Sequence, residues 1–103
     1  MNQFDVFRTR GEAARLAPFL VLLQNDLLSG LASVVVAPLR PESLHSEPLK
    51  GLHAAVEFLG ERHRLAPEQM VSLPRSALGP HAGSLADQRQ AVMASLDFLF
   101  LGF

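Results

Sequence analysis

Cysteine is absent from this sequence, which excludes disulfides and thiolate metal sites and fits a reducing interior. Charge is scarce too: Asp, Glu, Lys and Arg make up 18% of the residues and the formal net charge is −1. A near-neutral chain has no general electrostatic drive towards nucleic acid or an anionic membrane. No early apolar run is long enough to span a bilayer, and "MNQFDVFRTRG" lacks the basic start and cleavage site of a signal peptide. HExxH, a glycine-rich phosphate loop, a nucleophile elbow and an EF-hand loop are all missing, as are repeats and low-complexity segments. These absences predict one cytoplasmic globular domain over residues 1–103, not an enzyme, with no metal and no cofactor.

What is present is apolar. Hydrophobic residues reach 49%, rich for a small monomer, and such an excess often covers a subunit interface, so a homodimer is expected. "QFDVF" alternates, with Phe4 and Val6 on one side and Gln3, Asp5 and Phe7 on the other, the period of a strand. "RTRGEAARLA" reads as a loop, "PFLVLLQ" as a second strand and "NDLLSG" as a turn. "LASVVVAPL" is the strongest strand, because Val34, Val35 and Val36 suit a pleated sheet and its unbroken apolar run predicts burial on both faces. Residues 40–51 read as a polar surface loop. "LHAAVEFLGERHRL" predicts a hairpin turning at Leu59–Gly60, with its first arm open between helix and strand. A short strand follows at 70–73, then a segment broken by Pro74, Gly79, Pro80 and Gly83.

The last element predicts a helix over 84–101, with Ser84 as N-cap and Asp87 completing an acidic capping box. Leu85, Val92, Leu96, Leu99 and Phe103 form its apolar stripe, widened by Met93 and Phe100. The chain therefore reads as mainly β, about five strands and one C-terminal helix.

Candidate chemistry is thin. The histidines at 45, 53, 63 and 81 sit in different elements without metal-ligand spacing. Glu61 and His63 share one strand face and read as a solvated pair. The sharper alternative is an enzyme in which Arg62 and Arg64 hold a phosphodiester with His63 as acid or base, which nothing oriented elsewhere in the sequence supports. Arg8, Arg10 and Arg15 surround the single Glu12, a local basic patch that suits either a solvated loop or an acidic partner segment. The ending "DFLFLGF" leaves Phe98 and Leu101 pointing away from the core stripe, and Gly102 ends the helix in a left-handed turn. It suits a docked last turn, a partner-binding tip, or both.

The order and spacing of "QFDVF", "QNDLL", "VVVAPL", "MVSLP" and "SLDFLFLGF" resemble the CcdB family over nearly the full length. The resemblance implies an SH3-like barrel of antiparallel strands with a C-terminal helix, and a homodimer formed partly around that helix. It implies a toxin of a type II toxin–antitoxin module that poisons the DNA gyrase A subunit and is neutralised by a CcdA-like antitoxin. Carried over, the gyrase contacts are Leu101, Gly102 and Phe103, supported by Gln88 and Arg89. The antitoxin contacts are Arg8, Arg10 and Arg15, with the 40–50 loop. Where the best-known family ending is Trp-Gly-Ile, this chain has Leu-Gly-Phe, which removes aromatic area and an N–H donor. Ala54 stands where proline is usual, and Glu57 where histidine is frequent. The alternative is a weakly toxic or non-toxic module of the same fold that sequesters antitoxin.

Overall fold

Alternating and unbroken apolar segments become seven strands: β1 (Asp5–Arg8), β2 (Phe19–Leu22), β3 (Ser33–Pro41), β4 (Ala55–Phe58), β5 (Glu61–Leu65), β6 (Val71–Pro74) and β7 (His81–Ser84). The apolar stripe near the end becomes one helix, α1 (Arg89–Leu101). These elements are those of a computed structural model that describes residues 1–103 except Leu16 and Ser46 and the side chains of Glu12 and Ala13. Parts of the expected loops at 8–17 and 40–51, and the carboxylate of the basic patch, therefore lie outside the described residues. The neighbouring 11–15 and 42–44 stretches are single 3-10 turns.

All pairings are antiparallel, in the order β4-β5-β3-β2-β1-β7, with β6 on β3. The sheet curls into a half-barrel with α1 at its end, the mainly β architecture expected. The expected strand count of about five is exceeded because β7 forms from the segment read as broken. Its glycine and the preceding proline are tolerated because β7 is an edge strand bonded only to β1.

β3 is buried on both faces, as its valines predict. Ala37 and Leu39 enter the main core with Val6, Phe19, Val21, Val56, Leu65, Leu85 and Val92, and Val35 packs against it. Val34 and Val36 enter a smaller cluster with Phe7, Leu20, Leu22 and Leu78. Each fully buried valine, leucine or phenylalanine among them contributes about 1.5–3 kcal/mol.

Three local readings need correction. Phe4 is not part of the strand: it is buried with φ 70°, a left-handed conformation that costs about 1–3 kcal/mol for a non-glycine. Backbone bonds from Phe4 to Leu22 (2.7 Å) and from Leu85 to Phe4 (2.9 Å) hold it there. The helix starts at Arg89, not Ser84; Gln88 is its N-cap and makes no side-chain cap bond. Ser84 ends β7 instead, its hydroxyl accepting from Ala86 N–H at 3.0 Å ahead of a 3-10 turn at 86–88. The first arm of the hairpin resolves as strand only from Ala55, paired with β5 across Leu59–Gly60, both at positive φ, as a two-residue primed turn requires.

The two ends of the curl meet at a seam made by side chains. The Gln88 carboxamide accepts from Glu57 N–H at 2.8 Å and donates to Glu57 C=O at 2.7 Å. Beside it Phe58 of β4 presses on Gly83 of β7, where an added Cβ would lie 2.8 Å from the ring.

Gly79 is the tightest backbone approach: a Cβ there would meet the Arg8 carbonyl oxygen at 2.2 Å, whereas one at Gly30 meets nothing within 4 Å. Gly79→Ala is expected to destabilise the fold by about 1–3 kcal/mol through overpacking against backbone, with Gly30→Ala within about 0.5 kcal/mol of the parent. Urea denaturation of the two variants measures the difference.

Candidate functional site

The C-terminal helix is held on the body along one stripe. Val92 is fully buried, Leu96 packs against the main core, and the buried Ser95 hydroxyl donates to the Leu52 carbonyl. Beneath the last turns lies Gly51, at φ 92°, against whose α-carbon the Phe98 ring is set so closely that a Cβ would fall 3.0 Å from it. A side chain at 51 would displace that ring. Gly102, at φ 82°, closes the helix by donating its N–H to Phe98 C=O at 2.9 Å.

Beyond this stripe the tip is bare. Phe98 is 39% exposed, Phe100 69%, Leu101 61% and Phe103 85%. Leu101 lies about 180° around the helix from Val92. The expected place of Phe103 in the core stripe is therefore wrong: the left-handed turn at Gly102 takes it out of the helical path. Large apolar side chains concentrated at one exposed end mark an interaction site.

The turn that carries Leu52 and Gly51 is itself tied down by a polar network that local periodicity does not reveal. Buried His53 accepts Leu49 N–H on Nδ1 at 2.8 Å, so Nε2 carries the proton and donates to Glu68 at 2.8 Å. Arg64 donates to His53 C=O at 2.9 Å and to Glu42 at 2.7 Å, a charge-assisted bond that fixes the 42–44 turn on β5. The His45 ring stands 4.3 Å from that of His53, its Nδ1 buried with no hydrogen-bond partner among the described residues.

The supporting candidates separate from the tip. Gln88 is occupied by the seam, and Arg89 donates to Gln3 Oε1 at 2.9 Å with its guanidinium 5.3 Å from the Phe4 ring centroid. Arg89 stands about 18 Å from Leu101 along the helix, so neither shares a patch with residues 101–103. Arg8 lies over the Phe19 ring at 5.3 Å, Arg10 borders an apolar groove, and Arg15 is exposed on the 3-10 turn. The solvated Glu61–His63 pair does not exist. His63 is 1% exposed, packed edge-on to Phe19 and Phe58, and its Nδ1 bonds the Glu61 carbonyl at 3.0 Å. A ring so enclosed cannot reach a phosphodiester. Among the described residues no group of His, Asp and Glu could hold a metal ion, and no helix is long and apolar enough to cross a membrane.

Burial first, then the neighbouring His53 ring and the Arg40 guanidinium, with Arg64 contributing less, outweigh the opposing pull of Glu68 and hold the His45 pKa below its usual 6.5. The folded protein thus keeps His45 neutral where the unfolded chain binds a proton. Stability is full above the unfolded value and falls as pH drops through the lowered folded value. His45→Gln is expected to flatten that acid-side slope, checked by denaturation across about pH 5–8.

Comparison with solved structures places this fold among known ones. An endoribonuclease in complex with its cognate antitoxin, from Mycobacterial species, matches with TM-score 0.74 at 16% identity, covering 100% of this chain and 98% of that one. An endoribonuclease from Mycobacterial species matches with TM-score 0.72 at 17% identity, covering 100% and 94%. A crystallised Mtb toxin matches with TM-score 0.66 at 18% identity, covering 89% and 97%. At such identities the likeness is one of fold. No curated protein matches the sequence. The family model for CcdB protein, in contrast, matches residues 3–102, from the start of the first strand region to the glycine that caps the helix, and the chain accordingly belongs to the CcdB family.

Proposed function

We propose that the protein is the toxin of a type II toxin–antitoxin module, acting without catalysis as a homodimer that binds the DNA gyrase A subunit through its C-terminal tip. The observation that carries this reading is the exposed set Phe98, Phe100, Leu101 and Phe103 at the end of a helix rigidly seated through Ser95 and Val92. Burial of such side chains by a partner is worth up to about 1.5–3 kcal/mol each before the costs of association. Seven of the chain's residues are phenylalanine and none is tryptophan, so Phe100 and Phe103 supply the aromatic area that Leu101 does not. The homodimer forms partly around the same helix, and a cognate antitoxin meeting the dimer at Arg8, Arg10 and Arg15 and the 40–50 loop neutralises it.

A second reading, an antitoxin-sequestering module with little toxicity, is favoured by Leu101 alone, since aromatic anchors dominate interfaces. The fold neighbours described as endoribonucleases favour a ribonuclease. Buried His63 weighs against the acid–base arrangement on which that reading would draw.

Phe103→Ala is expected to change folding stability by no more than about 0.5 kcal/mol, as for an exposed residue, while abolishing capture of purified gyrase A subunit. The expressed parent is expected to arrest growth and the variant not to. Capture unchanged by Phe103→Ala would overturn the tip as the contact; no capture by the intact dimer would favour the sequestering module. Cleavage of RNA by the purified parent would favour the ribonuclease.

A further inference from the structure

The turn at 49–53 faces two ways. Towards the tip it is a support: Leu52 C=O accepts from the Ser95 hydroxyl, and Gly51 lies against the Phe98 ring. Towards the body it closes on His53, whose Nδ1 accepts from Leu49 N–H at 2.8 Å, while the His53 N–H donates to Leu49 C=O at 2.9 Å. A histidine ring accepts a hydrogen bond only while it is neutral, since both nitrogens of an imidazolium are donors. A proton added to His53 therefore sets N–H against N–H and breaks the bond that closes the turn.

His45 stands beside it, ring centroids 4.3 Å apart, its buried Nδ1 without a hydrogen-bond partner among the described residues. A proton there meets no acceptor, which is costly for a buried group. The surrounding carboxylates are already engaged. Glu68, from a 3-10 turn at 67–69, accepts from His53 Nε2 at 2.8 Å, and Glu42, from the 42–44 turn, accepts from Arg64 at 2.7 Å. Burial and the His53 ring disfavour a proton on His45 first, then the Arg40 guanidinium from β3 and, less strongly, that of Arg64 from β5. α1 meets the turn with Ser95 and Phe98, which carry no charge. A proton on either ring is relieved by moving the turn away, and Gly51 and Leu52 move with it.

We propose that His45 and His53 form an acid-released latch on the tip: a proton taken up by the pair opens the 49–53 turn, unseats Ser95 and Phe98, and weakens the hold of the tip on its partner. As regulation of the tip this rests on the gyrase reading; the latch itself belongs to the chain alone. The closed turn keeps His45 neutral, so the open form gains as pH falls.

The test follows backbone amide shifts of the full-length 15N-labelled protein from about pH 8 to about pH 5. The Leu49, Gly51 and Leu52 amides are expected to titrate on one midpoint with those of residues 98–103, while Val6, Val21 and Leu39 in the sheet hold still. His45→Gln combined with His53→Asn, whose carboxamide oxygen still accepts a hydrogen bond, is expected to abolish the shared titration. His81→Gln, at an exposed ring beside Asp5, is expected to leave it unchanged. Binding of purified gyrase A subunit is expected to weaken at least about tenfold from about pH 7.5 to about pH 5.5 for the parent, and less than about twofold for the double variant. Tip amides that stay fixed while Leu49 titrates overturn the latch, and so do sheet amides that move on the same midpoint, which is global unfolding. These two outcomes need only the parent protein. A shared titration that survives in a folded double variant overturns it as well. A shared titration with no gyrase binding at any pH removes the gyrase reading and leaves the latch standing.

Discussion

One strand must satisfy three partners, and the molecule is arranged around that requirement. β3 bonds β2 along one edge through residues 36–39, and on the other edge bonds β6 at 33–36 and then β5 at 39–41. A strand that exchanges one neighbour for another midway lets the sheet diverge there, and both of its faces then need cover. The valine run meets the demand because branched side chains fill either face of a pleat without polar atoms. The main core, against which α1 is seated, occupies one face; the smaller cluster occupies the other.

The parts legible in the sequence are those whose information is local. The valine strand, the Leu59–Gly60 turn and the glycine stop after Leu101 are each written in adjacent residues, and each stands where it was read. The Phe4 conformation, the identity of β7 and the late start of the helix depend on distant groups. Phe4 is held by Leu22 and Leu85, β7 by β1, and the helix entry by Glu57. His63 illustrates the same limit in a candidate site. "ERHR" looks like a charged surface hairpin arm, and alternation does place Glu61 and His63 on one face; the face turns out to be covered by Phe19 and Phe58. Phe58 comes from the other arm of the same hairpin, but Phe19, at the start of β2, is brought over the ring only by the long-range pairing of the sheet.

The tip shows how family membership and physical reading bear on one another. The family model ends at residue 102, next to Phe103, the most exposed of the tip's large side chains. An exposed apolar tip lies outside the fold, while its orientation is set inside it. Here orientation comes from a glycine under Phe98, a hydroxyl on Leu52 and a histidine–glutamate bond one layer deeper. None of these groups is apolar or part of the tip, yet displacing any of them alters the direction in which the tip points.

The seam closed by Gln88 has a consequence for how the molecule comes apart. Elsewhere neighbouring strands are joined by backbone ladders, which open residue by residue against many bonds. Between β4 and the helix entry the described link is one carboxamide with two bonds, aided by a phenylalanine lying on a glycine. Sub-global opening follows the line of fewest shared bonds, so the half-barrel unzips here before it loses any ladder. What parts first is β4 from the helix entry, while the helix itself stays seated on the core through Val92 and the Ser95–Leu52 bond.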